Sequence, residues 1–262
     1  MTTIPKLKGL LRAIAPASAA LALLAPIQTA SAEGPPSNWR LYGQGSDNFN
    51  NFNGGKWRKS THSNFKTWNV GVVGIGGNNK ALQCTNNAKG EHSGGWAEGR
   101  ISYWREGWFE ARTKTTWLHN DIWPAWWMWK NNGTPNQDEL DVFEYQSSIL
   151  NHAHWKHNLN GQRGNKNQVA KKLWAVWNPG GVPAWHYRWG MDRVKSWTNW
   201  AVKSENNKNC RFFINGLFQM NGAKAWTSMH FIFSSSPHKR HLPPIGANLP
   251  NFQIDWIKSY FR

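Results

Sequence analysis

The chain has 262 residues, with 31 Lys and Arg against 14 Asp and Glu, a net charge of +17, two cysteines and twenty tryptophans. A charge this positive points to a polyanionic partner, such as a sulfated or uronic polysaccharide, a nucleic acid or an anionic cell surface, or else to lysines that simply confer solubility. No nucleic-acid-binding motif is present, so nucleic acid is not an expected partner, and neither cysteine has a Cys or His at ligand spacing, which excludes a Cys-based metal site.

In chain order, Lys6, Lys8 and Arg12 precede an apolar run from Ala13 to Ile27, and Ala30-Ser31-Ala32 supplies a small-residue cleavage site. The run is too short for a transmembrane helix, and Pro16 and Pro26 argue further against one. Residues 1–32 therefore read as a signal peptide and 33–262 as a single domain, secreted or periplasmic after cleavage near Ala32. Loss of Lys6, Lys8 and Arg12 with the signal lowers the charge by three, and no later apolar stretch is long enough to span a membrane. Residues 33–37 read as a short disordered lead-in.

Short runs with alternating apolar residues, bounded by Gly, Asn and Pro, then recur around 68–75, 80–86, 100–104, 107–117, 122–129, 139–145, 185–190, 197–203, 210–214, 216–220, 229–233 and 252–261. Long amphipathic helices are missing. Evenly spaced short strands with polar turns predict an all-β sandwich or barrel. Asn215-Gly216, between Phe212-Phe213-Ile214 and Leu217-Phe218, is a type I′ hairpin signal. Gly161 to Lys172 is polar, basic and aperiodic, and reads as a solvated loop, with a substrate-contacting rim as the alternative. Cys84 and Cys210 both fall in predicted strands. A disulfide and two buried free thiols are equally compatible with that placement.

The densest chemistry is Glu139-Leu140-Asp141-Val142-Phe143-Glu144, three carboxylates in six residues. Leu140, Val142 and Phe143 make it a strand, on which Glu139 and Asp141 share a face because side chains alternate. Glu144 would fall on the opposite face unless a β-bulge at Val142-Phe143 takes up one residue and restores the phase. The glutamates are then four strand steps apart, roughly 13 Å between Cα atoms at ~3.3 Å per residue. Leaning together, their carboxyl groups can close to about 5 Å, the separation that retaining glycosidases use. Crowded carboxylates raise one another's pKa, as a general acid near neutral pH requires. The bland alternative is a solvated acidic patch on an edge strand.

Trp123, Trp126, Trp127 and Trp129 crowd the preceding strand. Alternation gives Trp127 and Trp129 one face and Trp126 the other. Indole faces pack on the C–H face of a pyranose, and Trp127 and Trp68 are the expected sugar platforms. His152, His154 and His157 follow the carboxylate strand. No carboxylate completes a zinc site there, and the spacing of two fits an alternating strand that walls a cleft.

These stretches resemble a known family. The E-x-D-x-x-E strand is similar to the bulged signature of the family 16 glycoside hydrolases, found in laminarinases, agarases and carrageenases. Gly107-Trp108-Phe109-Glu110-Ala111-Arg112-Thr113-Lys114 resembles that family's G-Y-F-E-A-R-x-K strand, and Trp123-Pro124-Ala125-Trp126-Trp127-Met128 its W-P-A-F-W-L segment. Phe252-Gln253-Ile254-Asp255-Trp256-Ile257-Lys258-Ser259-Tyr260 resembles the closing strand, and the order matches over nearly all of the chain after residue 40.

The resemblance implies a β-jelly roll of two antiparallel sheets with a substrate cleft on its concave face. It also implies retaining endo-hydrolysis of a β-linked polysaccharide, with Glu139 as nucleophile, Glu144 as acid/base and Asp141 between them. It puts Trp127 in the cleft and Trp126 in the core, and likens His154 to a cleft histidine of galactan-cleaving relatives. Met229-His230-Phe231-Ile232-Phe233 and the prolines after it look more like the agarase and carrageenase branch, and the charge fits a sulfated galactan. Tyr145 also occurs in laminarinase-like members, so a β-1,3-glucanase stays open, as does a lectin-like sandwich that only binds polysaccharide. No cofactor is expected, structural calcium is left open with no dedicated loop visible, and a monomer is expected.

Overall fold

The structure, a computed structural model, describes residues 32–101, 106–117, 122–129, 137–146, 149–157, 166–175, 193–225, 228–237 and 242–262. Chain contacts divide the sequence into Met1–Ala30 and Ser31–Arg262. The first unit, with the expected export signal, lies outside the described residues, as do the strand expected at 185–190 and residues 102–104 of the one expected at 100–104.

Fifteen strands run through the described residues: β1 (Arg40–Leu41), β2 (Trp57–Lys59), β3 (Val70–Gly76), β4 (Asn79–Cys84), β5 (Gly95–Gly99), β6 (Gly107–Thr115), β7 (Ile122–Trp129), β8 (Gln137–Gln146), β9 (Ile149–His157), β10 (Lys166–Ala175), β11 (Thr198–Ser204), β12 (Asn209–Ile214), β13 (Leu217–Lys224), β14 (His230–Pro237) and β15 (Phe252–Phe261). They form two antiparallel sheets packed as a jelly-roll sandwich. The back sheet has the order β13-β12-β11-β6-β15-β4-β3, with β1 added to β15; the front sheet has the order β10-β9-β8-β7-β14-β5-β2. The two resembling strands β6 and β15 are neighbours in the back sheet, where Arg112 Nη1 donates to Asp255 Oδ2 at 3.0 Å.

The core lies between the sheets and is aromatic. Phe143 of β8 meets Trp200 of β11 and Phe252 of β15 at 4.8 and 5.4 Å between ring centroids, and Phe109 of β6 meets Phe231 of β14 at 5.4 Å. Rings of this size dominate the burial that holds a sandwich closed. Both cysteines are buried free thiols, Cys84 against the Phe233 carbonyl and Cys210 against Ser204 Oγ, and burial pushes them up to about 12 and about 11.

Three expectations are corrected. Residues 100 and 101, where a strand was expected to begin, are bends, and the strand before them, β5 at Gly95–Gly99, was not expected. Its glycines mark close packing rather than a turn, since a Cβ on Gly95 would stand 2.3 Å from the Asn69 carbonyl oxygen and one on Gly94 2.1 Å from that of Ser235. The solvated loop expected to Lys172 is, from Lys166, the edge strand β10, paired to β9 from Lys166↔His157 to Ala175↔Ile149. Residues 161–165 of that expectation lie outside the described ones. The lead-in at 33–37 is fastened, not disordered: the Arg211 guanidinium donates to both Glu33 carboxylate oxygens at 2.9 and 2.7 Å, and the Glu33 N–H donates to the Gly216 carbonyl at 2.7 Å. That carbonyl belongs to the expected Asn215-Gly216 hairpin, where both residues have positive φ (49° and 75°) as a type I′ turn requires.

Candidate active site

β8 carries the carboxylates, and its register with β7 and β9 fixes where they point. Directly opposed residues of antiparallel strands share a face. Glu139 lies between Trp129 and Trp155, Asp141 between Trp127 and Ala153, and Glu144 between Ala125 and Asn151. Both pairings slip by one residue at Val142-Phe143, and both of those side chains are fully buried. The slip is a β-bulge: two consecutive apolar residues enter the core, so the three carboxylates share the front sheet's outer face.

Neutral donors hold them there. Trp123 Nε1 donates to Glu144 Oε1 at 2.7 Å and Asn151 Nδ2 to Glu144 Oε2 at 2.8 Å, while Trp155 Nε1 donates to Asp141 Oδ2 at 2.7 Å. Burial pushes the Glu144 carboxyl above its ordinary range, and the nearby Glu139 charge adds to the rise. Against it, the Asn151 and Trp123 hydrogen bonds and the Lys171 ammonium favour the charged form. A raised carboxyl beside a second carboxylate is the electrostatic arrangement of an acid and a nucleophile.

Next to the carboxylates runs an aromatic row. Trp127 stacks on Trp129 (centroids 5.7 Å, planes 25° apart) and meets Trp96 of β5 edge-on at 5.3 Å, and Trp96 meets Phe65 at 4.9 Å. Trp127 is half-buried and donates to Ser234 Oγ at 3.1 Å, while Trp126, one residue earlier, is wholly buried between the sheets. Alternation therefore assigns these two tryptophans the faces expected of them. Trp68 is 69% exposed in the turn before β3, with the Lys66 ammonium 5.6 Å from its ring centre. Among the described contacts, none joins it to this row or to the carboxylates.

His154 is a correction. It and His152 are wholly buried on the opposite face of β9, between the sheets, so neither walls the carboxylate face. The Ala223 N–H donates to His154 Nδ1 at 3.0 Å, which leaves the Nε2 hydrogen to donate to Asp138 Oδ1 at 2.9 Å. Lys156 Nζ stands 3.6 Å from the same oxygen and donates to the Lys224 carbonyl at 2.7 Å. His152 is held at about pKa 3 by burial, hence neutral. The side chain of His157 lies outside the described residues. What faces the carboxylates from β9 is the intervening set Asn151, Ala153 and Trp155. The expected spacing was right and its phase was off by one, because the phase of β9 depends on the turn and the bulge that precede it.

Sequence reasoning also missed Glu98 on β5. Its Oε1 takes both Arg58 Nη2 at 2.5 Å and His230 Nε2 at 2.6 Å. Burial raises its pKa, but these two partners outweigh that and bring it to about 2. Among the described residues, no group of three or more His, Cys, Asp or Glu is placed to hold a metal ion, and no helix is long and apolar enough to cross a membrane.

No family model and no curated protein matches the sequence; the likenesses are structural. The family 16 enzyme of a Bacteroides ovatus mixed-linkage glucan locus, solved with an oligosaccharide product, superposes with a TM-score of 0.65 at 18% identity, over 82% of this chain and 98% of its own. Porphyranase B of Zobellia galactanivorans gives 0.62 at 16% identity over 85% and 92%, respectively. The kappa-carrageenase of Pseudoalteromonas carrageenovora, in complex with a carrageenan oligosaccharide, gives 0.63 at 15% identity over 89% and 98%. The strand order, the bulged carboxylate strand and these superpositions agree: the chain has the fold of the family 16 glycoside hydrolases.

Proposed function

We propose that the protein is a secreted, retaining endo-glycoside hydrolase that cleaves a β-linked polysaccharide, with a galactan of the agarose, carrageenan or porphyran kind as the leading substrate class. The observation that carries this reading is the bulge that brings Glu139, Asp141 and Glu144 to one open face, with the Glu144 carboxyl raised by burial and by Glu139. The likeness to solved glycoside hydrolases supports it.

In this mechanism a Glu139 carboxylate oxygen attacks the anomeric carbon as the protonated Glu144 gives its proton to the departing glycosidic oxygen. Glu144, now a carboxylate, takes a proton from water, and the resulting hydroxide displaces Glu139 from the sugar. Asp141, fixed by Trp155, lies between them on the same face and helps keep the Glu139 charge in place. Trp127 and Trp129 give the neighbouring sugar an apolar platform, as stacked indoles do.

The basic composition favours a sulfated galactan over a neutral glucan. Export is part of the proposal and is supported by the signal-like N-terminus. The test is a panel of agarose, κ-carrageenan, porphyran, laminarin and mixed-linkage glucan, with products sized by mass spectrometry and the anomer followed by NMR. Oligosaccharides released from a galactan with retention are the expected result. Release from laminarin alone moves the assignment to a β-1,3-glucanase, and tight binding without any release makes the protein a lectin-like sandwich.

A further inference from the structure

The outer face of the front sheet is lopsided about the carboxylates. On the β7–β14–β5 side lie Trp127, Trp129 and Trp96, and Arg58 and His230 of that side contact Glu98. On the β9–β10 side the row through Asp141 continues to Ala153 and then to Lys171. Only a methyl group therefore stands between Asp141 and Lys171, which are two strand spacings apart, roughly 10 Å. Ala153 is wholly buried, so the floor of this gap is covered by neighbouring side chains, and a sugar would rest on them, Trp155 foremost, rather than on the methyl group.

Lys171 does not point away from this gap. Its ammonium lies 5.7 Å from the ring centre of Trp155, the indole that donates to Asp141. An edge-strand lysine that served only to discourage pairing with other chains would extend into water. This one is folded inward over an uncharged aromatic ring and acts electrostatically on Glu144. Over that ring its charge keeps its hydrogen-bond donors available to a ligand.

We propose that Lys171, held over Trp155, binds an anionic substituent, a sulfate ester or a uronate carboxylate, on the sugar unit that lies against Trp155 beside the catalytic carboxylates. This rests on the glycoside hydrolase reading and adds to it a specificity-determining residue and the charge of the substrate at one defined position. A hydrogen bond from a charged donor to a charged acceptor is among the stronger single contacts that a protein surface offers.

Kinetics alone would mix two effects, because Lys171 also favours the charged form of Glu144. Binding to the full-length, catalytically blocked Glu139→Gln protein separates them. Calorimetry would use three β-linked probes: a κ-carrageenan oligosaccharide, the same oligosaccharide after desulfation, and an oligomannuronate. Adding Lys171→Met, which keeps the aliphatic stem over Trp155, is expected to weaken the anionic probe that fits by about tenfold and the desulfated one by less than about twofold, with Lys171→Arg restoring the difference. Whether the sulfated or the uronate probe responds identifies the source of the anion. Equal weakening of charged and neutral probes, no weakening of any, or no binding of either anionic probe by the Glu139→Gln protein overturns the proposal. Failure of the hydrolase reading looks different: wild-type protein then releases nothing from any polysaccharide, whatever the probes do.

Discussion

The two faces of β8 carry the same chemical group and treat it oppositely. On the outer face Asp141 and Glu144 are held by Trp155, Trp123 and Asn151, all neutral donors. On the inner face, one residue before Glu139, Asp138 is held by His154 and the Lys156 ammonium. Glu98, bound by Arg58 and His230, shows what a cationic partner does: its pKa falls to about 2. Neutral donors favour the charged form of Glu144 less than burial and the Glu139 charge disfavour it, so its pKa is raised above the ordinary range. Burial and the charge of the partners thus act together, the raised Glu144 being buried among neutral donors and the lowered Glu98 being paired with Arg58 and His230.

The comparison can be broken most decisively at the carboxyls proposed to react. Glu139→Gln and Glu144→Gln should each lower turnover by about 10²–10⁴-fold with unchanged circular dichroism. Near-normal activity in either would mean that the outer face is only a polar surface. On the inner face the effect should appear in stability instead. Asp138→Asn leaves Lys156 buried without its anion, and chemical denaturation should show a loss of about 3–5 kcal/mol; a loss under about 1 kcal/mol would show that the buried cluster braces nothing.

The tryptophans repeat the contrast one strand away. Trp126→Ala should cost about 3–5 kcal/mol of stability as a large core truncation. Trp127→Ala should cost turnover about 1–3 kcal/mol while the melting temperature stays nearly unchanged. The reverse pattern would invert the assignment of the faces.

Two pH effects are smaller and sharper. Trp123→Phe removes a donor that favours the charged form of Glu144, so its pKa should rise further and the alkaline limb of kcat/KM should move to higher pH. A limb that stays put or moves down would remove Glu144 from the role of acid. Glu98 has a folded pKa depressed from 4.5 to about 2, so its stabilisation is complete above about pH 4.5 and disappears as pH falls toward 2. The difference in melting temperature between wild type and Glu98→Gln should therefore be larger at about pH 6 than at about pH 3, and an equal gap at both would show that the Arg58 and His230 contacts carry no charge-dependent stability.

Much of this molecule was legible from residue order. β7 and β15 fell where alternation put them, at Ile122–Trp129 and Phe252–Phe261, and the bulge followed from needing Glu144 on the side of Glu139. Strands whose apolar residues alternate announce themselves, because one face is buried and the other wet. β10 did not, since Lys166–Ala175 is an edge strand whose pairing comes from the backbone and whose side chains are largely polar. β5 was hidden by glycines that serve close packing. His154 was legible as a strand residue but not as a core one: an Asp and a Lys from neighbouring positions neutralise the cost of burying it, and composition cannot announce that pairing in advance.

The bulge in β8 has one more consequence, which concerns counting. In a regular strand, side chains an odd number of residues apart can never look the same way, yet Glu139 and Glu144 are five apart and do. The shared outlook therefore depends on the bulge absorbing one residue and not on the identity of Val142 or Phe143. Deleting either residue would leave the two glutamates four apart, so a regular strand with no bulge would keep both on the outer face, and one apolar side chain instead of two would enter the core between Asp141 and Glu144. Such a chain should keep Glu144 on the side of Glu139 and lose one buried apolar side chain, so a one-residue deletion here should be felt in the packing against Trp200 and Phe252 rather than in where the carboxylates point.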